Sequence, residues 1–505
     1  MLALTRLRTI VLKFFSILFV TTLLLATGES VQRATAAGTV TVDGVTLTNK
    51  GLVGVGRIPA SQRDKFGETF GSSSGMAVDT TSWTKDGNGY RGTIYLLPDR
   101  GYNVSGTTDY RPRLNKISIV FNPVNDARSL PANRQQHEVV ATISDSMLFT
   151  DAAGIPMTGL DPGQGGIRPA AKGFPDMPQA SNGHISLDSE AVVRLRDGSF
   201  FISDEYGPYV YRFSAEGRML SAIRPPEAFI PKRNGKEDFA SNNPGPGEKA
   251  PVPADPESGR QNNQGFEGMA LTPDGKTLAV ILQSATRQDG GTAADKRRNT
   301  RILFYDVTDL DRPKLIRENA VPPPVFKNAD GKQRVAAQSE LLALSDSKFL
   351  LLCRDSGNGY GQPGDTSLYR RIELLDTAKA TNIAGTAYDD ATPIAPDGKL
   401  AADIAPATLL PFIDMNDNSE LVKFGLHQGA PNDRNNLSEK WESMGLLPAL
   451  DAATPDDYFL FVGNDNDFIT QNGFQVGSAY KDESGADVDT MLLVYRVTIP
   501  GLSKR

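Results

Sequence analysis

Four glutamates recur at the same place in four similar stretches of the chain. Glu190 lies in Asp188-Ser189-Glu190-Ala191-Val192-Val193, and Glu267 in Phe266-Glu267-Gly268-Met269-Ala270-Leu271. Glu340 lies in Ser339-Glu340-Leu341-Leu342, and Glu442 in Trp441-Glu442-Ser443-Met444. Further acidic residues close later apolar runs: Asp204-Glu205, Asp355 and Asp465, with Asp99-Arg100 after Ile94-Tyr95-Leu96-Leu97. Gathered carboxylates do two kinds of chemistry: they hold a hard divalent cation, or they move protons. They also repel one another, so they need a cation, arginine partners or retained protons. Arg100, Arg354 and Arg371 stand near enough in sequence to serve as partners. Asn464-Asp465-Asn466-Asp467 offers oxygens that suit calcium, but lacks the glycine and closing glutamate of an EF-hand loop. Each carboxylate taken singly also reads as a lock that accepts turn amides, and the Asn464–Asp467 run as an Asx-rich turn.

The expected assignments are Glu267, Glu190, Asp99 and Arg100 for catalysis, and Asp204, Glu205 and Asn263 for substrate. Glu267, Glu190, Glu442 and Asp465 are expected to hold calcium. Glu267 takes the central place. Gly265 and Gly268 permit close backbone approach, and Phe266 alternates away from it along a strand. Arg100 suits an anionic oxygen cluster, because its planar fork matches phosphate.

The elements that position these residues repeat. After Glu190 come the turn Asp197-Gly198, the run Phe200-Phe201-Ile202 and the run Tyr209–Phe213. After Glu267 come Asp274-Gly275, Leu278–Leu282 and Arg301–Tyr305. Comparable strand orders follow Glu340 and Glu442 and fill Met76 to Phe121. Short apolar and β-branched runs bounded by Gly, Asp and Pro are strands. Successive antiparallel strands give meanders, and meanders arranged radially make a propeller. The predicted fold is all-β: a β-propeller of about six blades with long Pro/Gly-rich loops, a set of β-sandwiches being the alternative. Five copies are clear, and Glu138–Phe149 or Thr39–Thr46 is available for a sixth. Proline-rich loops are predicted at 169–182, 225–263 and 321–333, and 376–436 carries mixed signals. Adjacent antiparallel strands place the start of one beside the end of the next. Both acidic series are therefore predicted on one face, around the central axis.

At these residues the chain resembles the phytase-like family described by esterase-like activity. The matching segments are Gly51–Gly54, Arg63–Gly67, Leu97–Asn103, Ser186–Glu190, Ser203–Pro208 and Asn263–Ala270. The resemblance covers nearly all of the chain beyond its N-terminal segment. It implies a β-propeller that hydrolyses phosphate or carboxylic esters, with distant similarity to calcium-dependent propeller phytases. In those, calcium holds phosphate and activates water with few side-chain nucleophiles. The expected function is an exported, metal-assisted hydrolase of an anionic small-molecule ester. The alternative is a non-catalytic or lactone-binding propeller with structural calcium.

Arg6, Arg8 and Lys13 precede an apolar run of 13 residues, Phe14–Ala26, and Ala34-Thr35-Ala36 follows as a small-x-small pattern. Residues 1–37 are read as a signal peptide, and 38–505 as one phytase-like propeller domain. The product is then secreted or periplasmic, with no stable membrane span after cleavage, since no later segment reaches about 18 uninterrupted apolar residues. Loss of Arg6, Arg8, Lys13, Arg33 and Glu29 takes the net charge from −7 to −10. Such a surface repels phosphate backbones, so nucleic acid is not an expected partner. Cys353 is the single cysteine, so no intramolecular disulfide exists, and its apolar neighbours make it a buried small hydrophobe. Gly71-Ser72-Ser73-Ser74-Gly75 matches G-x-S-x-G in letters only, because a strand follows where a nucleophile elbow needs a helix. The three histidines, His137, His184 and His427, form no H-E-x-x-H motif.

Overall fold

The computed structural model describes residues 38–364 and 366–502. The signal-peptide reading of residues 1–37 lies outside the described residues. Antiparallel four-stranded meanders dominate. The first blade is Gly75–Asp86, Gly89–Leu97, Arg113–Phe121 and Val139–Leu148. The second is Ser189–Arg194, Phe200–Asp204, Val210–Phe213 and Met219–Ile223. The third is Phe266–Leu271, Thr277–Leu282, Thr300–Asp306 and Lys314–Val321. The fourth is Ala337–Ala343, Lys348–Arg354, Arg370–Asp376 and Thr408–Asp414. The fifth joins Lys440–Pro448, Asp457–Asp465 and Thr490–Thr498 to the N-terminal strand Val45–Ile58.

The first strands of consecutive blades lie side by side, and the fifth returns to the first, which closes a ring. The fold is a β-propeller. Among the described residues it shows five such meanders where about six were expected. Val139–Leu148 is the outer strand of the first blade. Val45–Ile58 completes the fifth, pairing Leu52 with Tyr495 and Val55 with Leu493. Neither candidate for a sixth blade makes one: Glu138–Phe149 supplies the fourth strand of the first blade, and Thr39–Thr46 supplies Thr39–Val42, an extra strand hairpinned onto Val45–Ile58. No sandwich forms.

Five apolar layers, one between each pair of neighbouring blades, form the main core, and a small cluster of Ala320, Ile383, Ile394, Ala395 and Ile404 lies beside it. Leu350, Leu352, Ile372 and Leu374 of the fourth blade meet Trp441, Leu460, Val462 and Leu493 of the fifth. Phe459 and Phe461 of the fifth meet Ile94, Leu96 and Ile117 of the first. Because blades are covered on both faces, the second strands of the second to fifth blades are apolar without alternation, whereas Gly89–Leu97 of the first keeps Arg91 exposed. Phe200–Asp204 and Asp457–Asp465 are buried throughout. Outer strands keep a wet face, as in Lys314–Val321. Each large side chain so buried contributes about 1.5–3 kcal/mol. Cys353 lies in the layer between the third and fourth blades.

Ring closure is also sealed at its rim, where Gly56 bridges Val139 in parallel. A Cβ on Gly56 would stand 2.5 Å from the Val139 carbonyl oxygen. Gly56→Ala is therefore expected to cost about 1–3 kcal/mol by overpacking. A denaturation midpoint equal to that of the unsubstituted protein would show that this bridge does not help to close the ring.

Candidate functional site

The first strands carry the glutamates, and their ladders break at or beside those residues. Pairing is irregular between Phe266 and Met269, between Gln338 and Glu340, and between Trp441 and Ser443. The second blade shifts register opposite Ser189–Val192. Such bulges re-aim a side chain without ending the strand. Glu190, Glu267 and Glu442 are turned toward one end of the axis, where a cavity of about 860 Å³ opens. Its lining also includes Asp99, Arg100, Glu205, Asn263 and Asp465. Eight of the nine residues assigned from sequence therefore meet in one cavity.

Asp204 is the exception. It is fully buried and accepts from the Asp188 and Tyr206 amides at 3.0 Å, and from Gly207 N and Tyr211 Oη at 3.2 Å. Neighbouring residues on an extended segment point to opposite sides, so the geometry that presents Glu205 to the cavity turns Asp204 into the blade. Glu340 also stays out of the lining; its carboxylate accepts the Leu341 amide at 2.8 Å.

The carboxylates sort into two triads. Asp188, Glu190 and Glu205 can each bring one oxygen within 4.8 Å of the others. So can Asp99, Asp465 and Asp467. Arg100 binds Asp188 at 2.6 Å. Lys440 reaches Asp467 at 2.7 Å and Asp465 at 3.3 Å. Arg354 pairs with Glu442 and lies 3.6 Å from Glu439, and the Gln283 amide donates to Glu267 Oε1. The four expected calcium ligands thus divide: Glu190 and Asp465 join different triads, while Glu442 and Glu267 have protein partners. Asp188, Lys440 and Gln283 were missing from the assigned set. Asp188 was accessible to sequence reasoning, since it stands two residues before Glu190 and so shares its face of an extended segment.

Burial drives the electrostatics. It raises Glu205 to about 8, with repulsion from Asp188 adding to it. It raises Glu190 well above the usual carboxylate range, with repulsion from Glu267 and Glu205, and Glu267 likewise, with repulsion from Glu205 and Glu442. Burial and Asp465 raise Asp99, and burial raises Asp465 to about 6 against the pull of Lys440. Burial alone would lower the Lys440 ammonium, but Asp467, Asp465 and Glu442 hold it well above the usual lysine range.

The donor set fits a hard cation. Both triads are all carboxylate, without thiolate or imidazole, and calcium takes six to eight such oxygens. Two buried carboxylate oxygens in the cavity lining, Glu205 Oε1 and Glu267 Oε2, have no hydrogen-bond partner. A buried, unpaired anionic oxygen is costly; a cation or a substrate hydroxyl would satisfy it. The G-x-S-x-G serine, Ser73, is fully buried, and its hydroxyl bonds that of Ser443 at 2.7 Å, so it is no exposed nucleophile.

A ring of meanders with carboxylates at one axial mouth defines a β-propeller whose site is built on its axis. The chain belongs to the phytase-like family described as "esterase-like activity of phytase", whose model matches residues 68–468. An uncharacterized secreted protein of Arthroderma benhamiae is 39% identical over 457 residues, which is 85% of this chain and 88% of that one. A gluconolactonase of Xanthomonas campestris is 10% identical with a TM-score of 0.25, over 93% of this chain and 99% of that one. An aldose sugar dehydrogenase of Streptomyces coelicolor is 12% identical with a TM-score of 0.22, over 91% and 88%. Likenesses at that level carry nothing about chemistry. No helix among the described residues is long and apolar enough to cross a membrane.

Proposed function

We propose that the protein is a secreted, calcium-assisted hydrolase of phosphate or related anionic esters, working in the axial cavity. The observation that carries this reading is the pair of unpartnered buried oxygens, Glu205 Oε1 and Glu267 Oε2, beside two carboxylate triads and Arg100. The family description supports ester chemistry, and the secreted relative supports export. Asp188, Glu190 and Glu205 would hold one cation, and Asp99, Asp465 and Asp467 offer a second set. Calcium held there would supply Lewis-acid polarisation of the ester and neutralise its charge.

The chain's own groups then have defined tasks. Gln283 fixes Oε1 of Glu267, which leaves Oε2 to accept a proton from the attacking water. Burial and the neighbouring Glu205 raise its affinity for protons, which strengthens it as a base. Arg100, anchored on Asp188, turns its guanidinium edge to the substrate anion. Asn263 Oδ1, buried without a partner, is available to a substrate hydroxyl.

A second reading, a calcium-holding or lactone-binding propeller without ester turnover, is favoured by one observation. Arg100, Arg354 and Lys440 are each already paired with carboxylates. A panel of phosphate esters, carboxylic esters and lactones, assayed with calcium and with chelator, separates the two. Calcium-dependent turnover of a phosphate ester is expected, reduced at least 100-fold in Glu267→Gln at unchanged melting temperature. Calcium binding with no turnover of any ester would leave the binding protein.

A further inference from the structure

The cavity has a second wall, of different chemistry from the carboxylate mouth. It is formed by the loop before Thr300–Asp306 and by a small hairpin, Val325–Lys327 with Gln333–Val335, inserted between the third and fourth blades. Ala294, Arg297, Pro323, Phe326, Arg334 and Leu368 line it. Phe326 and Arg334 are directly opposite on the two hairpin strands, so both side chains stand on the same face. The Phe326 ring packs at 5.8 Å from the ring of Tyr369, and Leu368 beside it is left 41% exposed. Arg298 Nη2 bonds Gln333 Oε1 at 2.7 Å, which ties the loop of Arg297 to the strand of Arg334.

The two guanidiniums on this wall differ from the cations at the mouth. Arg297 spends only its Nε, on the Gly291 carbonyl at 3.0 Å, and Arg334 its Nη1, on the Gln333 carbonyl at 2.9 Å. Among the described residues, no carboxylate lies within ion-pair distance of either. An exposed leucine and a half-buried phenylalanine beside two unpaired guanidiniums make a surface for a ring that bears an anion. The ring gains apolar contact on Phe326 and Leu368, and the anion gains charge-assisted bonds.

We infer that this wall selects the leaving group: an aromatic or similarly flat apolar ring carrying a carboxylate or other anion. As a statement about substrate it rests on the hydrolase reading above; as a binding site it stands without it. The test uses three probes without an ester: 2-naphthoate, with ring and anion; 2-naphthol, with the ring alone; and acetate, with the anion alone. Calorimetry is expected to show 2-naphthoate binding at least tenfold more tightly than either, with calcium or with chelator. Arg297→Gln/Arg334→Gln is expected to lose that tenfold. Phe326→Ala is expected to weaken 2-naphthoate while leaving acetate as it was. Melting curves check that the variants are folded.

Turnover supplies the second arm. The KM advantage of 6-carboxy-2-naphthyl phosphate over 2-naphthyl phosphate is expected to fall from about tenfold to about one in the double arginine variant. If neither phosphate is hydrolysed but the probes bind as described, the hydrolase reading fails and the wall stands. If 2-naphthoate binds no better than 2-naphthol, or equally to the folded double variant, the wall proposal is overturned whatever the turnover.

Discussion

Stripped of divalent cations, the protein is expected to lose melting temperature steadily as the pH rises from about 5 to about 8, and calcium is expected to restore it. The sign follows from proton counting. An unfolded glutamate releases its proton near 4.3, but Glu205 in the fold holds it to about 8 and Asp465 to about 6. Between those values the native state binds more protons than the unfolded chain, so stability falls with rising pH. The contribution is fully present below the unfolded value and is gone once the pH passes the folded one. Calcium takes the place of the protons, so its stabilising effect is expected to be smallest at pH 5 and largest at pH 8. A hundredfold excess over Kd gives about 2.7 kcal/mol. With about 2.1 cal/mol/K of unfolding entropy per residue, that is about 3 °C for a domain of this length. Glu205→Gln, which keeps the shape and removes the charge, is expected to flatten the pH dependence above about 6.5 and weaken calcium at least tenfold. Melting curves that do not move with pH, with calcium or with chelator, would sink the cation site.

Arg100→Gln is expected to be the most damaging single change at the mouth. Arg100 and Asp188 are both buried, and the guanidinium meets the carboxylate at 2.6 Å with Asp99 and Glu205 close by. Removing one partner of a buried pair strands the other, at about 3–5 kcal/mol. The added change Asp188→Asn removes the stranded charge, and is expected to recover most of the stability without recovering turnover. Denaturation midpoints and turnover measured on both variants decide this. A single variant as stable as the parent would show that Asp188 is satisfied by other groups. A double variant with full turnover would remove Arg100 from substrate binding.

The sequence by itself determined the strands and the repeat. Runs such as Phe200-Phe201-Ile202 and Leu350-Leu351-Leu352 have no polar alternation because both faces of a blade are covered, and that covering is written in composition. It also determined that the repeated glutamates share one end, because antiparallel strands return to the side they left. Ring closure was beyond it. Whether Val45–Ile58 starts a blade or completes the fifth depends on a partner more than 400 positions away, and apolar pattern alone is compatible with both. The roles of individual carboxylates were decided only in three dimensions. Bulges set which way Glu190, Glu267 and Glu442 point, and a bulge leaves no mark in a two-residue period. Glu442 meets Arg354 and Glu267 meets Gln283, while Glu205 and Glu267 each keep one oxygen free. Asp204 and Glu205 are neighbours of like charge, yet one is tied into backbone amides and the other lines the cavity. Residue type and spacing place a charge on a face; only packing decides which partner it meets there, because partners come from loops and from other blades as well as from the same one, and each buried oxygen is satisfied by whatever lies within about 3 Å of it.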